Sequence, residues 1–586
     1  MRQWMVAAKK ADFYAIAEKF HVDPVVARII RNREVIGEEN IRIYLGGNLS
    51  DLSDPHQMKD MDRLVEILAQ KIRKQVHIRI IGDYDVDGVT SSHLFLTALR
   101  RVGAKVDVVI PHRIQDGYGL SLHLLQQAKE DGVDTILTCD NGIAAIDEIA
   151  WAKAQKMTVL VTDHHAVPFE EHEGRRTEKK SLADAVVNPH QQDCGYPYKE
   201  LCGAGVAWNV IRVLYENYDM DKREAEDLLD FVAMATVCDV MSLTGENRIL
   251  VKEGLKRIRH TKNIGLQALM QACNVQPENI SAYHFGYVLG PCVNATGRLD
   301  TARHALRLFE TGQETEAEEI ARDLVDLNQE RKELTLQGVE MAKKLCEEGG
   351  YENDPVLVLF LPDVHESIAG LIAGRIREMY NRPVFVLTRG EEGVKGSGRS
   401  TENYSMYENM CGCAELFTKF GGHPMAAGLS LPEENVEKFR RKINENCPLT
   451  VEEVCPDIHI DMAMPVGYAS TELVHQFALL EPFGKDNPSP LFADRNLSIS
   501  RMWVIGKNRN VLRMSVLSEY GQPVPVIFFG DVETLFAYFT EKFGQKEVEN
   551  ALHGRKNRIL FSMVYTAKID FYQGNENLQL EMKYYR

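Results

Sequence analysis

Residues 77–88 read HIRIIGDYDVDG: an apolar run of strand length stops at Gly82, and Asp83, Asp85 and Asp87 follow at once. The same texture recurs downstream. VDVVI from Val106, TILTC from Thr135, TVLVT from Thr158 and AVV from Ala185 are short apolar runs with helical patterns between them. Strands alternating with helices predict βαβ units and a parallel sheet covered on both faces. The stretch from Ala204 to about His260 is mainly helical in pattern and completes this unit.

The ends of these runs carry the chemistry. CDNG places Asp140 directly after TILTC, TDHH places Asp163, His164 and His165 directly after TVLVT, and TVCDV ends an apolar run in Asp239. In an open parallel sheet, ligands sit outside the carboxyl ends of the strands. Carboxylates gathered there repel one another unless cations neutralise them. Aspartates with one imidazole suit Mn²⁺, with Mg²⁺ as the alternative. Two such ions about 3.5–4 Å apart are a standard device for phosphodiester hydrolysis. A single aspartate at a strand end is more often a helix cap or turn former, and Asp163 fits that role. Four such segments in one α/β unit predict a two-metal centre instead.

Outward from this core, residues up to about Leu68 have apolar positions at helical spacing, broken by DLSDP at 51–55. Ala302 to Glu348 forms a long helical pattern with Ile320, Leu324, Leu327 and Leu334 on one stripe, ended by Gly349–Gly350. PVLVLF from Pro355, IAGLIAGRIREMY from Ile368 and PVFVLT from Pro383 predict a second α/β unit, followed by the glycine-rich KGSGRS and GGHPMAAGLSL. From about Leu491 the pattern alternates, with a helical run from Val532, and predicts a small OB-like barrel. The expected segments are 1–70 (N-terminal helical segment), 71–300 (catalytic α/β domain), 301–350 (connecting helix), 351–455 (smaller α/β domain) and 456–586 (β-rich region).

At 586 residues the chain is too long for one core. The net charge of −17 argues against indiscriminate coating of DNA, not against a local basic groove. The 11 cysteines show no CxxC and read as reduced thiols. Neither a signal sequence nor an apolar run long enough to span a bilayer is legible, so a cytoplasmic protein is expected.

GDYDVDG, PHRIQDGYGL, CDNGI, TDHHAVP, NPH, LCGAGVAW, ATVCDVMSL and NATGRLD, in this order, resemble the DHH phosphoesterase superfamily and within it the bacterial RecJ exonucleases. KGSGRS and GGHPMAAGLSL resemble the associated DHHA1 domain, and EPFGKDNPSPLF the start of the later RecJ domains. The resemblance implies a single-stranded-DNA-specific 5′→3′ exonuclease of recombination and repair that releases 5′-mononucleotides using two Mn²⁺ ions, or Mg²⁺. It implies that Asp85 and Asp87 each hold a metal with Asp83 assisting, that Asp140 bridges, and that His164 and Asp239 complete the set. By the same resemblance His165 would orient the site or touch substrate, and Arg113, Ser397 and Arg399 would hold the terminal 5′-phosphate, with His423 the next candidate and Arg298 a candidate DNA contact.

The partner implied is single-stranded DNA acted on by a monomer, and the resemblance admits a RecQ-type helicase and a single-strand-binding protein beside it; no membrane is involved. Arg501, Trp503, Lys507, Arg509 and Arg513 form a basic stretch with an aromatic, a composition suited to strand binding as well as to a solvated hairpin with Trp503 in its core. The chain departs from RecJ habit at Cys292, commonly arginine, and at Ser367 and Asp486, commonly glycine. Two other readings are a DHH phosphodiesterase for oligoribonucleotides or cyclic dinucleotides, and a catalytically weak scaffold in a replication or repair complex.

Overall fold

The computed structural model describes residues 3–113, 116, 119–172, 175–299, 301–351, 353–390, 393–455, 457–506, 509–572 and 574–586. These form two compact units, Leu49–Pro456 and, together, Gln3–Asn48 with Asp457–Arg586.

The first unit begins with five parallel strands: β1 (Ile78–Ile81), β2 (Val106–Val109), β3 (Thr135–Cys139), β4 (Thr158–Thr162) and β5 (Ala185–Val187). Their order is β2-β1-β3-β4-β5, every pairing parallel. Both faces are covered. Ile80, Leu137 and Leu160 join a large core shared with α1 (Val86–Arg101), α2 (Gly203–Asn217) and α3 (Leu229–Cys238). Ile136, Val159 and Val161 join a smaller core on the other side. Burial on both faces is why these strands read as continuous apolar runs. The order reverses between β1 and β3, which opens a crevice at their carboxyl ends.

Helix α4 (Gly290–Leu299) follows a five-residue π-helical turn, and α5 (Glu314–Glu348) is the long helix, 35 residues and about 50 Å at 1.5 Å per residue. Ala317, Ile320, Ala321 and Leu324 of α5 are buried in the large core of the parallel sheet, and Val339, Ala342 and Cys346 in a separate core with Leu357, Leu359 and Ile372. Of the expected stripe, Leu327 and Leu334 are half-buried. Beyond it, β6 (Leu357–Phe360), α6 (Ala369–Tyr380), β7 (Val384–Gly390), β8 (Gly393–Arg399), β9 (Lys419–His423) and β10 (Ala426–Leu431) build a mixed sheet in the order β9-β10-β8-β7-β6.

The second unit is a closed barrel of β11 (Phe492–Ile505), β12 (Val511–Leu517), β13 (Pro523–Phe529), β14 (Leu560–Tyr572) and β15 (Asn575–Tyr585). Strands pair β11-β12-β13-β15-β14 and β14 closes on β11, with β13 and β15 parallel. Helices Val532–Phe543 and Gln545–Leu552 lie between β13 and β14 in the chain, which accounts for the interruption read in the sequence. Asp486 takes φ 60°, the left-handed region that favours glycine and tolerates aspartate.

The N-terminal segment divides at Asn48 rather than near residue 70. Val25, Val26, Ile29 and Ile30 of the helix Pro24–Asn32 share the barrel-side core with Leu473 and Phe492, and Arg33 grips Asp461 at 2.7 and 3.1 Å. Helix Met61–Arg73 instead packs on the parallel sheet. The amphipathic N-terminal helices find their apolar partner more than 400 residues away in the chain, as Asp23 to Gln476 shows. Among the described residues no helix is long and apolar enough to cross a membrane.

Candidate metal centre and phosphate site

Each acidic segment arrives at the crevice for a local reason. Asp85 caps α1, accepting from Gly88 N at 3.0 Å, so Asp87 falls in the first helical turn. The N-terminus of α2 fixes Asp87: Gly203 N and Ala204 N donate to its two oxygens at 2.6 and 2.7 Å. Asp140 sits in the left-handed region at φ 62° immediately after β3. Gly203 allows the approach, since a Cβ there would lie 2.6 Å from Asp140 Cβ. Asp239 follows the last residue of α3.

These side chains meet. His164 Nε2 lies 3.0 Å from Asp140 Oδ1 and 3.7 Å from both Asp87 Oδ2 and Asp239 Oδ2. Three overlapping sets, Asp83–Asp85–Asp140, Asp87–His164–Asp239 and Asp140–His164–His165, each keep their ligand atoms within 4.8 Å. Asp163 is built differently: it accepts from Ile143 N, His164 N, His165 N and His165 Nδ1 at 2.7–3.0 Å, and so orients the DHH turn.

The electrostatics match a cation site. Burial, then the neighbouring Asp85, pushes Asp83 well up; burial, then Asp87, does the same to Asp140, and Asp85 rises for the same pair of reasons. Burial lowers His164, which keeps a neutral nitrogen available. Burial opposes protonation of His165, yet its hydrogen bond to Asp163 and the surrounding carboxylates raise it to about 9. Among the described residues Asp83 Oδ1 and His164 Nε2 are buried without a hydrogen-bond partner; the 3.0 Å approach of His164 to Asp140 does not have hydrogen-bond geometry. An oxygen-rich set with one imidazole, two orphaned buried atoms and strained carboxylates fits divalent cations such as Mn²⁺ or Mg²⁺.

Beside it lies a cluster of guanidiniums. Arg113 lies over the Tyr84 ring at 4.9 Å, and Arg298 Nη1 donates to Ser367 O at 2.6 Å. Burial, then Arg113, Arg331 and Arg399, lowers Arg298 to about 10; burial, then Arg377 and Arg113, lowers Arg399. Crowded, half-buried cations of one sign are a site that an anion relieves. The first turn of α6 joins them, since a Cβ at Gly370 would lie 2.8 Å from Arg399 Nη2 and 3.2 Å from Ser397 Oγ. A helix N-terminus next to Ser397 and Arg399 adds N–H groups for phosphate oxygens. Arg113 and Ser397 also line a cavity of about 450 Å³, with Tyr84 and Ser367. His423 is exposed on β9, in register with Ala426 beside Arg399, and is not among that cavity's lining residues.

Sequence reading did not find several supports: the α2 N-terminus under Asp87, the first turn of α6, and Asn294 Oδ1, which accepts from Val86 N at 3.1 Å. The first has a signal in LCGAGVAW, whose small residues permit backbone approach. Cys292 is buried against Asn328, 3.8 Å from Cys273 Sγ. In the barrel, Trp503 is 38% exposed rather than in the core, under Arg501 at 5.6 Å and in register with Arg513, which approaches Asp570 at 4.0 Å. Lys507 lies outside the described residues, as do Ile114, Gln115, Gly117 and Tyr118 of PHRIQDGYGL and Asp300 of NATGRLD.

Comparison with known proteins gives three consecutive family matches: DHH family, N-terminal domain, at residues 77–236; DHHA1 domain at 353–447; and RecJ OB domain at 460–584. The single-stranded-DNA-specific exonuclease RecJ of Haemophilus influenzae is 32% identical over 582 residues, 96% of this chain and 96% of that protein. RecJ of Bacillus subtilis is 33% identical over 87% of this chain, which spans 63% of that relative's length. A crystal structure of exonuclease RecJ bound to manganese is 32% identical over 66% of this chain and 94% of that one, with TM-score 0.57. RecJ of Thermus thermophilus in complex with Mn²⁺ matches all of this chain and 79% of its own with TM-score 0.79 at 24% identity, a likeness of fold.

Proposed function

Because this chain belongs to the RecJ exonuclease family, we propose that it is a single-stranded-DNA-specific exonuclease that removes 5′-mononucleotides from the 5′ end, in recombination and repair. The observation that carries the reading is the convergence of Asp83, Asp85, Asp87, Asp140, His164 and Asp239 at the β1/β3 crevice, beside Arg113, Arg298 and Arg399. The six would hold two divalent ions, with Asp140 shared. When bound, manganese or magnesium supplies a nucleophile at neutral pH and neutralises charge on the scissile phosphate. Arg113, Ser397 and Arg399 hold the terminal 5′-phosphate, and Arg298 contacts the strand. His165, kept charged by Asp163, faces the same crevice and orients substrate phosphate. Clamping the end at a set distance from the metal ligands enforces removal of one nucleotide per turnover. Trp503, with Arg501 and Arg513, offers the strand a stacking surface on the barrel.

The enzyme works in the cytoplasm as a monomer, on strands that a RecQ-type helicase exposes and a single-strand-binding protein covers; co-purification with either tests that part. The decisive test is a Mn²⁺-dependent assay on end-labelled strands. A 5′ label is released as mononucleotide from the first turnover, and Asp140→Ala is slower by at least ~10³-fold. Equal release from both ends, preference for dinucleotides over long DNA, or an active Asp140→Ala enzyme would overturn it.

A further inference from the structure

The cavity that begins at Arg113 and Ser397 extends along the second-domain sheet, away from Arg399. Register sets Lys395 of β8, Ser430 of β10 and Lys419 of β9 side by side, and one row on, Ser397, Gly428 and Gly421. The rows are two residues apart on every strand, so they share a face. The middle of that face is bare. Among the described residues an added Cβ at Gly421 meets nothing within 4 Å, and at Gly428 only Gly396 O, at 4.0 Å. The result is a trough floored by glycine backbone and ended by two ammonium groups. Among the described residues Glu366 is the one carboxylate lining it, and it is already paired with Lys395 at 2.9 Å. Lys419 is exposed. At about 450 Å³ the space is larger than one phosphate group fills.

We propose that this trough is a second anion subsite, which accepts the outer phosphates of a 5′-triphosphate end while Arg113, Ser397 and Arg399 hold the phosphate next to the sugar. The inference rests on the 5′-exonuclease reading above. Lysine serves here as a mobile point charge rather than a fixed fork, which suits the outer groups of a flexible polyphosphate. The consequence is tolerance: a strand whose 5′ end carries two extra phosphates needs no prior trimming.

The test compares one oligonucleotide with 5′-hydroxyl, 5′-monophosphate and 5′-triphosphate ends. Wild-type protein is expected to process triphosphate and monophosphate ends within ~3-fold of each other in kcat/KM. The double variant Lys395→Ala/Lys419→Ala is expected to lose at least ~10-fold on the triphosphate end and to stay within ~3-fold on the monophosphate end. Calorimetry with inorganic triphosphate, without divalent ions, reads the subsite apart from turnover: binding by wild type, at least ~10-fold weaker in Lys419→Glu, a change at an exposed position that leaves the fold intact. Rejection of the triphosphate end by ~30-fold in wild type, or equal losses on both ends in the double variant, overturns the subsite. Failure to digest the monophosphate strand at all would instead overturn the exonuclease reading.

Discussion

Gly203 holds its place by what it lacks. Its N–H reaches Asp87 at 2.6 Å while its missing side chain leaves room for Asp140. Gly203→Ala drives a methyl into Asp140 Cβ, and displacement of a metal ligand by about 1 Å costs on the order of 10²-fold. Nuclease activity in that variant is therefore expected to fall at least ~10²-fold with an unchanged circular dichroism spectrum; full activity would refute the argument. A second residue carries a cost rather than a role. Asp230 is buried, 3% exposed, and burial raises its carboxyl to about 6 even though Thr261 and Phe231 N donate to it. A folded-state value above the ordinary 3.8 means the folded protein binds more protons between the two values. Stability then falls as pH rises from about 4 to about 6, and the full cost stands above that. The gap, at about 1.4 kcal/mol per pH unit, amounts to about 3 kcal/mol. Asp230→Asn is expected to be the more stable protein by up to about that much at pH 8 and no different near pH 4, read from urea midpoints. Equal differences at both pH values would exclude the cause. Of the residues proposed to hold the metals, the aspartates and histidines are legible because they follow directly on apolar runs. Gly203, Asn294 and the first turn of α6 were not, because their part is played by backbone groups or by neighbours remote in sequence.

At the scale of elements, α5 spans two cores, and Gly338 leaves room for a side chain of α6. A Cβ there would lie 2.3 Å from Ile372 Cδ1. Gly338→Leu wedges α6 and its sheet off the long helix without touching any metal ligand. The expected result is a KM for long single strands raised at least ~10-fold with manganese uptake unaltered, and recovery when Ile372→Ala makes room in the same chain. Steady-state kinetics and calorimetry check it; lost manganese binding would place the defect elsewhere. The strands and the long helix were legible because full burial writes unbroken apolar runs and a one-sided burial writes a stripe. Strand order was not, and it is the order that puts the crevice between β1 and β3. The register of β8, β9 and β10 was likewise hidden, since glycine-rich strands carry little alternation to pin it.

The whole molecule is joined in a way its linear order conceals. Residues 3–48 share a core with the barrel, while residues 49–455 fold around the parallel sheet, α5 and the second sheet. A cut after residue 455 therefore does not remove one unit. It strands the apolar faces of residues 3–48, leaving Val25, Val26, Ile29, Ile30 and Tyr44, all buried at present, in water. Such a contiguous patch drives association. The fragment 1–455 is expected to elute as aggregate in size-exclusion chromatography. The shorter fragment 49–455 keeps every proposed metal ligand and Arg113, Arg298, Ser397 and Arg399, and buries its own core. It is expected to run as a monomer, take up manganese, and hydrolyse short 5′-phosphorylated oligonucleotides, with its deficit growing with strand length because the Trp503 surface is gone. A soluble 1–455 beside an aggregating 49–455 would show that the N-terminal helices belong with the parallel sheet after all.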